Sequence, residues 1–414
     1  MLRNDSFHLI RIEGEPYILP VGQMVADHMR GVKINEPGAF IWESIKEELS
    51  DEKLYDRSFK YFEADDDEKC EVKGGVDDFI SLLNSRGMIL KDEPFDDVIE
   101  DDKKESVNDI SINAEDNSFA ADDRSDLIKT VVIAGISISF YGDKESLTDK
   151  FDAFAVNDYN GKPDIRIEIT NDSPESIKGK DIIKDAPVET KECTDRYILR
   201  FPESTKIIEC HLSKAGDLAR FYTDKDLDDA EKELLFHAIR TVFLYKALSK
   251  GIAAVHSASI LYQNKAWLFS ASAGTGKSTH AALWKKLFDV SYINGDLNLI
   301  GMKDGRATVF GLPWCGTSET FDTEEHELGG VVLLKRNLHN YADDLKEDEK
   351  QLFIQQRIIS PTWDYKMLEK QYEIVGSVVK SGICVVRLNC TADDEAAMVM
   401  KQYIDNKLNS DKVM

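Results

Sequence analysis

Residues Ala266 to Thr279 read AWLFSASAGTGKST, an apolar run that passes straight into a loop of small residues closed by Gly-Lys-Ser-Thr. The residues before it, 253–262 (AAVHSASILY), form a hairpin with 266–270 around Gln263-Asn264-Lys265. After it, Ala281, Ala282, Leu283, Trp284 and Leu287 give a helical apolar pattern. Strand, loop and helix in that order are what a phosphate-binding loop requires. Small residues let successive backbone N–H groups converge on phosphates, and the helix N-terminus adds positive potential. The nucleotide-binding candidates are therefore Ser272, Ala273, Gly274, Thr275, Gly276, Lys277, Ser278 and Thr279, with Lys277 on the β- and γ-phosphates and Ser278 on Mg²⁺. The pattern has Ala271 where its first glycine belongs, which a negative φ accommodates. ATP and Mg²⁺ are the expected cofactors.

Downstream, Ser291 to Asp296 reads as a buried strand with a carboxylate at its C-terminal end, where open α/β sheets place ligands. An Asp there holds Mg²⁺ or accepts a proton from an attacking hydroxyl, so Asp296 is both a metal and a catalytic candidate. A hairpin through Asp304-Gly305 follows, then Gly311-Leu312-Pro313-Trp314-Cys315-Gly316 as a rigid turn and Leu328 to Lys335 as another buried strand. Trp314 and Cys315 read as packing and turn residues, and Arg357 as a surface arginine with the length to reach a transferred phosphate.

Taken together, His-Ser-Ala-Ser-Ile (256–260), Ser-Ala-Gly-Thr-Gly-Lys-Ser-Thr (272–279), Asn-Gly-Asp (294–296) and the 311–316 turn resemble the HPr kinase and phosphoenolpyruvate-carboxykinase-like group of P-loop kinases. The likeness spans about residues 128–405. It implies phosphoryl transfer from ATP to a hydroxyl, with Asp296 as general base and metal neighbour, Lys277 on the phosphates and His256 as a phosphate or substrate contact. A hydrogen-bonded core role for His256 is the alternative. HPr kinases often carry two adjacent aspartates at the base position, whereas the first here is Gly295, and Glu327 before Leu328-Gly329-Gly330 matches their signature poorly. HPr itself is not the expected substrate.

Nearer the N-terminus, FHLIRIE and YILPV flank Gly14-Glu15-Pro16 as a hairpin, and Val32-Lys33-Ile34 is a short third strand. Asn35 followed by Glu36-Pro37 has the chemistry of a helix start, Asp51 to Phe62 reads as a second helix, and a third runs from about Val76 to a Gly87 cap. This order, with the Asn35–Glu43 pattern NEPGAFIWE, resembles the PqqD family of peptide-recognition modules over residues 5–91. The resemblance implies a winged-helix domain that captures the leader of a ribosomally made precursor peptide by β-augmentation. The peptide would meet the edge strand Val32, Lys33 and Ile34 and a helix face that includes Phe79; core packing is the alternative for Phe79.

Between the two parts, residues 92–126 carry 14 acidic and 3 basic side chains, a net −11. Such a stretch cannot bury enough apolar surface to fold. The expected organisation is a two-domain α+β and α/β chain: winged-helix domain 1–91, acidic flexible linker 92–126, and a P-loop kinase domain with a mixed sheet at 127–414. Over all 414 residues, 52 basic against 77 acidic side chains give 52 − 77 = −25, which argues against nucleic acid or anionic membrane as the main partner. Six scattered cysteines without a C-x-x-C pair indicate neither disulfides nor a structural metal. With no apolar run long enough to span a bilayer and no signal peptide, a cytoplasmic location is expected.

The combined expectation is an ATP- and Mg²⁺-dependent kinase for a Ser or Thr hydroxyl of a precursor peptide, whose leader and core are its partners. Two alternatives are a non-catalytic, nucleotide-gated carrier serving another peptide-tailoring enzyme, and a kinase for free serine or a sugar. The kinase resemblance leaves a homo-oligomer open.

Overall fold

The computed structural model describes residues 2–4, 6–12, 14–20, 31–45, 50–90, 119–271, 275–361 and 363–411. The chain divides into two units, Met1–Phe119 and Ala120–Met414. Most of the acidic stretch expected as linker, together with Ser272, Ala273 and Gly274, lies outside the described residues.

In the first unit β1 (Leu2–Arg3) pairs with β5 (Ile89–Leu90), and β2 (Phe7–Ile12), β3 (Glu15–Pro20) and β4 (Val32–Lys33) form an antiparallel sheet in that order. Three helices follow, α1 (Glu36–Ser44), α2 (Asp51–Tyr61) and α3 (Lys69–Ser85). Asn35 starts α1 as expected, its side chain accepting from the Gly38 N–H at 2.9 Å. The third helix begins at Lys69, ahead of the expected Val76, because Asp65 accepts from the N–H groups of Asp67 and Glu68 and opens the helix inside a polar run that carries no apolar periodicity. Phe7, Ile18, Trp42, Leu54, Ile80 and Leu83 share one core beneath sheet and helices.

The second unit is a mixed α/β body with two large sheets. In the first sheet the order is β10 (Lys180–Ile183), β11 (Glu189–Glu192), β12 (Arg196–Arg200), β13 (Ile207–Ser213), β14 (Leu218–Thr223), β9 (Ile165–Thr170), β7 (Ile136–Tyr141), β6 (Leu127–Ile133), β8 (Ala155–Val156). The apolar run 127–141 folds back on itself because Ala134 and Gly135 adopt φ of 52° and 73°, the turn that matches strand twist. The unit begins ahead of Leu127. Asp122 donates its N–H to Glu168 at 2.8 Å, and Arg166 and Arg220 donate to the carbonyls of Asp122 and Ala120. Two arginines thus hold the end of the acidic stretch on the sheet.

Helix α4 (Asp229–Ser249) buries Leu235, Ala238, Ile239, Val242 and Phe243 and leads into the second sheet. There β16 (Lys265–Ser270), β20 (His326–Arg336) and β23 (Cys384–Cys390) run parallel, and β15 (Ile252–Tyr262), β17 (Ser291–Asn294), β18 (Leu297–Lys303), β19 (Arg306–Phe310), β21 (Tyr341–Asp344) and β22 (Ile358–Ile359) complete it. Helices α5 (Lys277–Phe288) and α8 (Asp394–Asp411) cover the parallel part, with Trp267, Phe269, Trp284, Val386 and Met400 in one core. Two further helices, α6 (Glu347–Gln355) and α7 (Tyr365–Lys380), flank β22.

The neighbours of β15 change at one point on both of its edges. Residues 252–256 pair with β18 and 254–255 with β22, whereas 257–262 pair with β16 and 259–261 with β17. His256 stands at that seam, its N–H donated to the Arg357 carbonyl at 2.7 Å while the next residue, Ser257, donates to the Asp296 carbonyl at 3.0 Å. A change of strand partners opens a crevice at the strand ends, where α/β sheets take ligands.

Candidate functional site

The loop after β16 ends at Gly276, whose φ of 109° turns the chain into α5 so that Lys277 is the first helical residue. A side chain is strained at that φ, which accounts for glycine there. Among the described residues no side chain caps α5, whose first N–H groups have no partner within the helix. Ala271 is buried, while Ser278 and Thr279 are exposed on the first turn.

Lys277 turns inward and is 9% exposed. Its Nζ lies 2.8 Å from Nε2 of His256, and the other ring nitrogen of His256, Nδ1, lies 3.2 Å from the Asp296 carbonyl and 3.3 Å from Asp296 Oδ1. Those contacts fix the imidazole with its proton on Nδ1, facing Asp296, and its lone pair on Nε2, facing the ammonium. Burial lowers the His256 pKa; Lys277 and Arg357 lower it further, and Asp296 opposes them. Burial also lowers the Lys277 pKa, with Asp296 opposing and Arg357 reinforcing. The seam of β15, the start of α5 and the β17–β18 turn thus bring together the three catalytic candidates, Lys277, His256 and Asp296.

Asp296 sits in the β17–β18 turn, two residues past the antiparallel strand β17, and not at the end of a parallel strand. Asn294 builds that turn: its Oδ1 accepts from the N–H groups of Asp296 and Leu297 at 3.0 and 3.1 Å, and its Nδ2 donates to the Trp314 carbonyl at 3.2 Å. Trp314 is buried, as expected of a packing residue, and its Nε1 donates to the Phe236 carbonyl of α4 at 2.9 Å. Gly316, at φ 62°, comes so near that a Cβ there would meet Asp296 Cβ at 2.8 Å. A Cβ on Gly295 would meet Ser318 Oγ at 2.3 Å. Ser318 therefore fills the space that a second carboxylate would need.

Two cations complete the surroundings: Arg357, expected at the surface, and Arg240, which the sequence did not mark. Arg357 is half-buried, not a surface residue, and among the described residues its enclosed Nε meets no hydrogen-bond partner. Arg240, on α4, interacts electrostatically with Asp296, and burial lowers its pKa. Neither stands in a motif; Arg240 is a polar break in the apolar stripe of α4 and Arg357 follows two glutamines, so only folding brings them to the crevice. Burial raises the Cys315 thiol, which leaves it a turn residue.

In the first unit Phe79 packs against Gly38, where a Cβ would meet the ring at 3.1 Å. It lines a cavity of ≈ 460 Å³ between α1 and α3 with Ile41, Phe62, Val72 and Val76 among its walls. Val32 and Lys33 lie on β4, the edge of its sheet. Ile34 is 8% exposed and donates its N–H to Pro16, so it belongs to the core.

No protein-family model matches the chain, and no curated protein does. Among solved structures the chain is similar to the Hpr(Ser) kinase/phosphatase from Coxiella burnetii, with 10% identity and a TM-score of 0.23 over 38% of this chain and 98% of that one. Among the described residues no helix is long and apolar enough to cross a membrane, and no group of three or more His, Cys, Asp or Glu side chains is arranged to hold a metal ion.

Proposed function

We propose that this chain is an ATP- and Mg²⁺-dependent phosphotransferase that phosphorylates a Ser or Thr hydroxyl of a peptide held by its first unit. The observation that carries the reading is the pairing of Lys277 with a neutral imidazole. A largely buried ammonium whose hydrogen-bond partner bears no charge requires an anion from outside. It stands at the mouth of a loop of phosphate-binding pattern, beside uncapped helix N–H groups. Those residues fit the phosphates of a nucleotide, and the motif order resembling the HPr kinase group supports the same chemistry.

In this reading Lys277 and the α5 N–H groups hold the phosphates and balance charge that develops on them. His256 fixes Lys277 on one side and Asp296 on the other. Asp296 accepts the hydroxyl proton as the oxygen bonds to the γ-phosphorus and the bond to ADP breaks. Ser278 and Asp296 would hold Mg²⁺, which supplies further charge neutralisation. Peptide capture rests on the PqqD-like order of the first unit, the position of β4 at the edge of its sheet and the cavity beside Phe79, which suit an added strand with one side chain anchored below it.

Incubation with ATP, Mg²⁺ and a leader-bearing peptide, followed by intact mass spectrometry, tests the reading. One added phosphate that requires Lys277 is expected, and Asp296→Asn should bind ATP yet transfer nothing; transfer by that variant would remove Asp296 from its role. Gly295 and Ser318, which leave no room for a second carboxylate, favour one alternative, the nucleotide-gated carrier. Tight ATP binding without a phosphorylated product would select it.

A further inference from the structure

Beside the phosphate loop, at the C-terminal end of β20 and the middle of β23, lies a cleft of ≈ 510 Å³ that no motif marks. Its walls bring together Lys335, Arg336, Arg357 and Arg387, over a floor that includes Phe353, and it reaches Thr275 of the loop. The Arg387 guanidinium lies 4.7 Å from the Phe353 ring centroid, a cation–π contact that steadies the cation at the cleft wall. Among the described residues no carboxylate lines the cleft and none pairs with Lys335, Arg357 or Arg387. In a chain of net charge −25, four cations around one cleft are not a consequence of composition.

We infer that this cleft binds carboxylate side chains of the acceptor, so that the preferred substrate is an acidic peptide segment around the hydroxyl. The inference rests on the phosphotransferase reading and adds the class of sequence it accepts. A nucleotide's phosphates are already served by Lys277 and the helix N-terminus. A neutral purine base could stack on one guanidinium but would leave the other positive charges unmatched. The volume and the apolar floor exceed what a small inorganic anion needs, whereas Glu and Asp side chains set their methylenes on Phe353 and their carboxylates on the guanidinium rim. Arg357 links this cleft to the transfer site, since its carbonyl accepts the His256 N–H and its charge acts on Lys277.

The test uses the full chain and two short fluorescent peptides with a single Ser, flanked in one by Glu and in the other by Gln. Binding is read by anisotropy without nucleotide, and transfer by mass spectrometry with ATP and Mg²⁺. The acidic peptide is expected to bind about tenfold or more tightly than the neutral one, as charge-assisted hydrogen bonds imply. Arg387→Gln and Lys335→Gln, each with an unchanged thermal midpoint, should erase most of that preference and leave the KM for ATP within about twofold. Equal binding of the two peptides overturns the inference, and so does a raised KM for ATP with the preference intact, which would give the cleft to the nucleotide. If neither peptide is phosphorylated but the acidic one binds through Arg387, the cleft stands and the phosphotransferase reading falls.

Discussion

Lys277 and His256 meet ammonium to imidazole, Nζ to Nε2 at 2.8 Å, where a structural lysine this buried would meet a carboxylate. The carboxylate of Asp296 lies beyond the ring, at its other nitrogen. The arrangement keeps a positive charge available and withholds the negative one, which is what an anion site needs before its ligand arrives.

Lys277→Met should therefore abolish nucleotide turnover while raising the thermal midpoint or leaving it unchanged, because it removes a buried charge whose hydrogen-bond partner is neutral. A coupled assay for ADP release should show a loss of about 10²-fold or more, the scale of removing one donor at a developing charge. A clear fall in thermal midpoint would mean that Lys277 serves the core.

His256 titrates below its ordinary value of 6.5, and burial lowers His237 and His280 in the same way. Above pH 6.5 these rings are neutral in folded and unfolded chain alike. As the pH falls through 6.5 the unfolded chain takes up protons first, so stability is lost from there down to the folded values. Protonated His256 can no longer accept from Lys277, and activity should fall over the acid side of the same window. Urea midpoints measured across that range should decline less steeply in His256→Gln; an identical slope would show that His256 contributes nothing to the linkage.

Gly295→Asp restores the second carboxylate of the pattern that the sequence resembles, but its Cβ would stand 2.3 Å from Ser318 Oγ. Overpacking of this kind costs about 1–3 kcal/mol. The single variant should melt earlier, and Gly295→Asp combined with Ser318→Gly should recover much of the loss. Calorimetry of the two variants checks this; equal midpoints would show that the loop yields without cost.

What was legible in the sequence was what local chemistry decides. The loop around Lys277 declares itself through small residues between a strand and a helix, the Asp304-Gly305 turn adopts positive φ at both residues, and Asn35 caps its helix. The surroundings of Asp296 were hidden because they come from afar: Trp314 reaches α4, Arg240 descends from it, and Arg357 arrives from the far side of β15. Such contacts depend on which strands pair, and the double change of partners at His256 leaves no periodic mark in the sequence. Ile34 misled for a related reason, since in a strand this short alternation does not tell the core face from the free edge.

Asn294 offers the sharpest separation between holding the nucleotide and placing the base. It touches neither Lys277 nor the helix N-terminus, yet it fixes the backbone of Asp296 and Leu297 and is itself tied through the Trp314 carbonyl to a loop anchored on α4. Asn294→Leu keeps the volume and leaves the Asp296 and Leu297 N–H groups and the Trp314 carbonyl without this partner, at about 1–3 kcal/mol for each buried group left unsatisfied. Asp296 should then sample several positions, so kcat should fall by about 10²-fold while the KM for ATP stays near its original value. Asn294→Asp can still accept from both N–H groups but cannot donate to Trp314, and should recover part of kcat. If Asn294→Leu raised the KM for ATP and spared kcat, the turn would belong to nucleotide binding, and Asn294 would not be a positioning residue for the base.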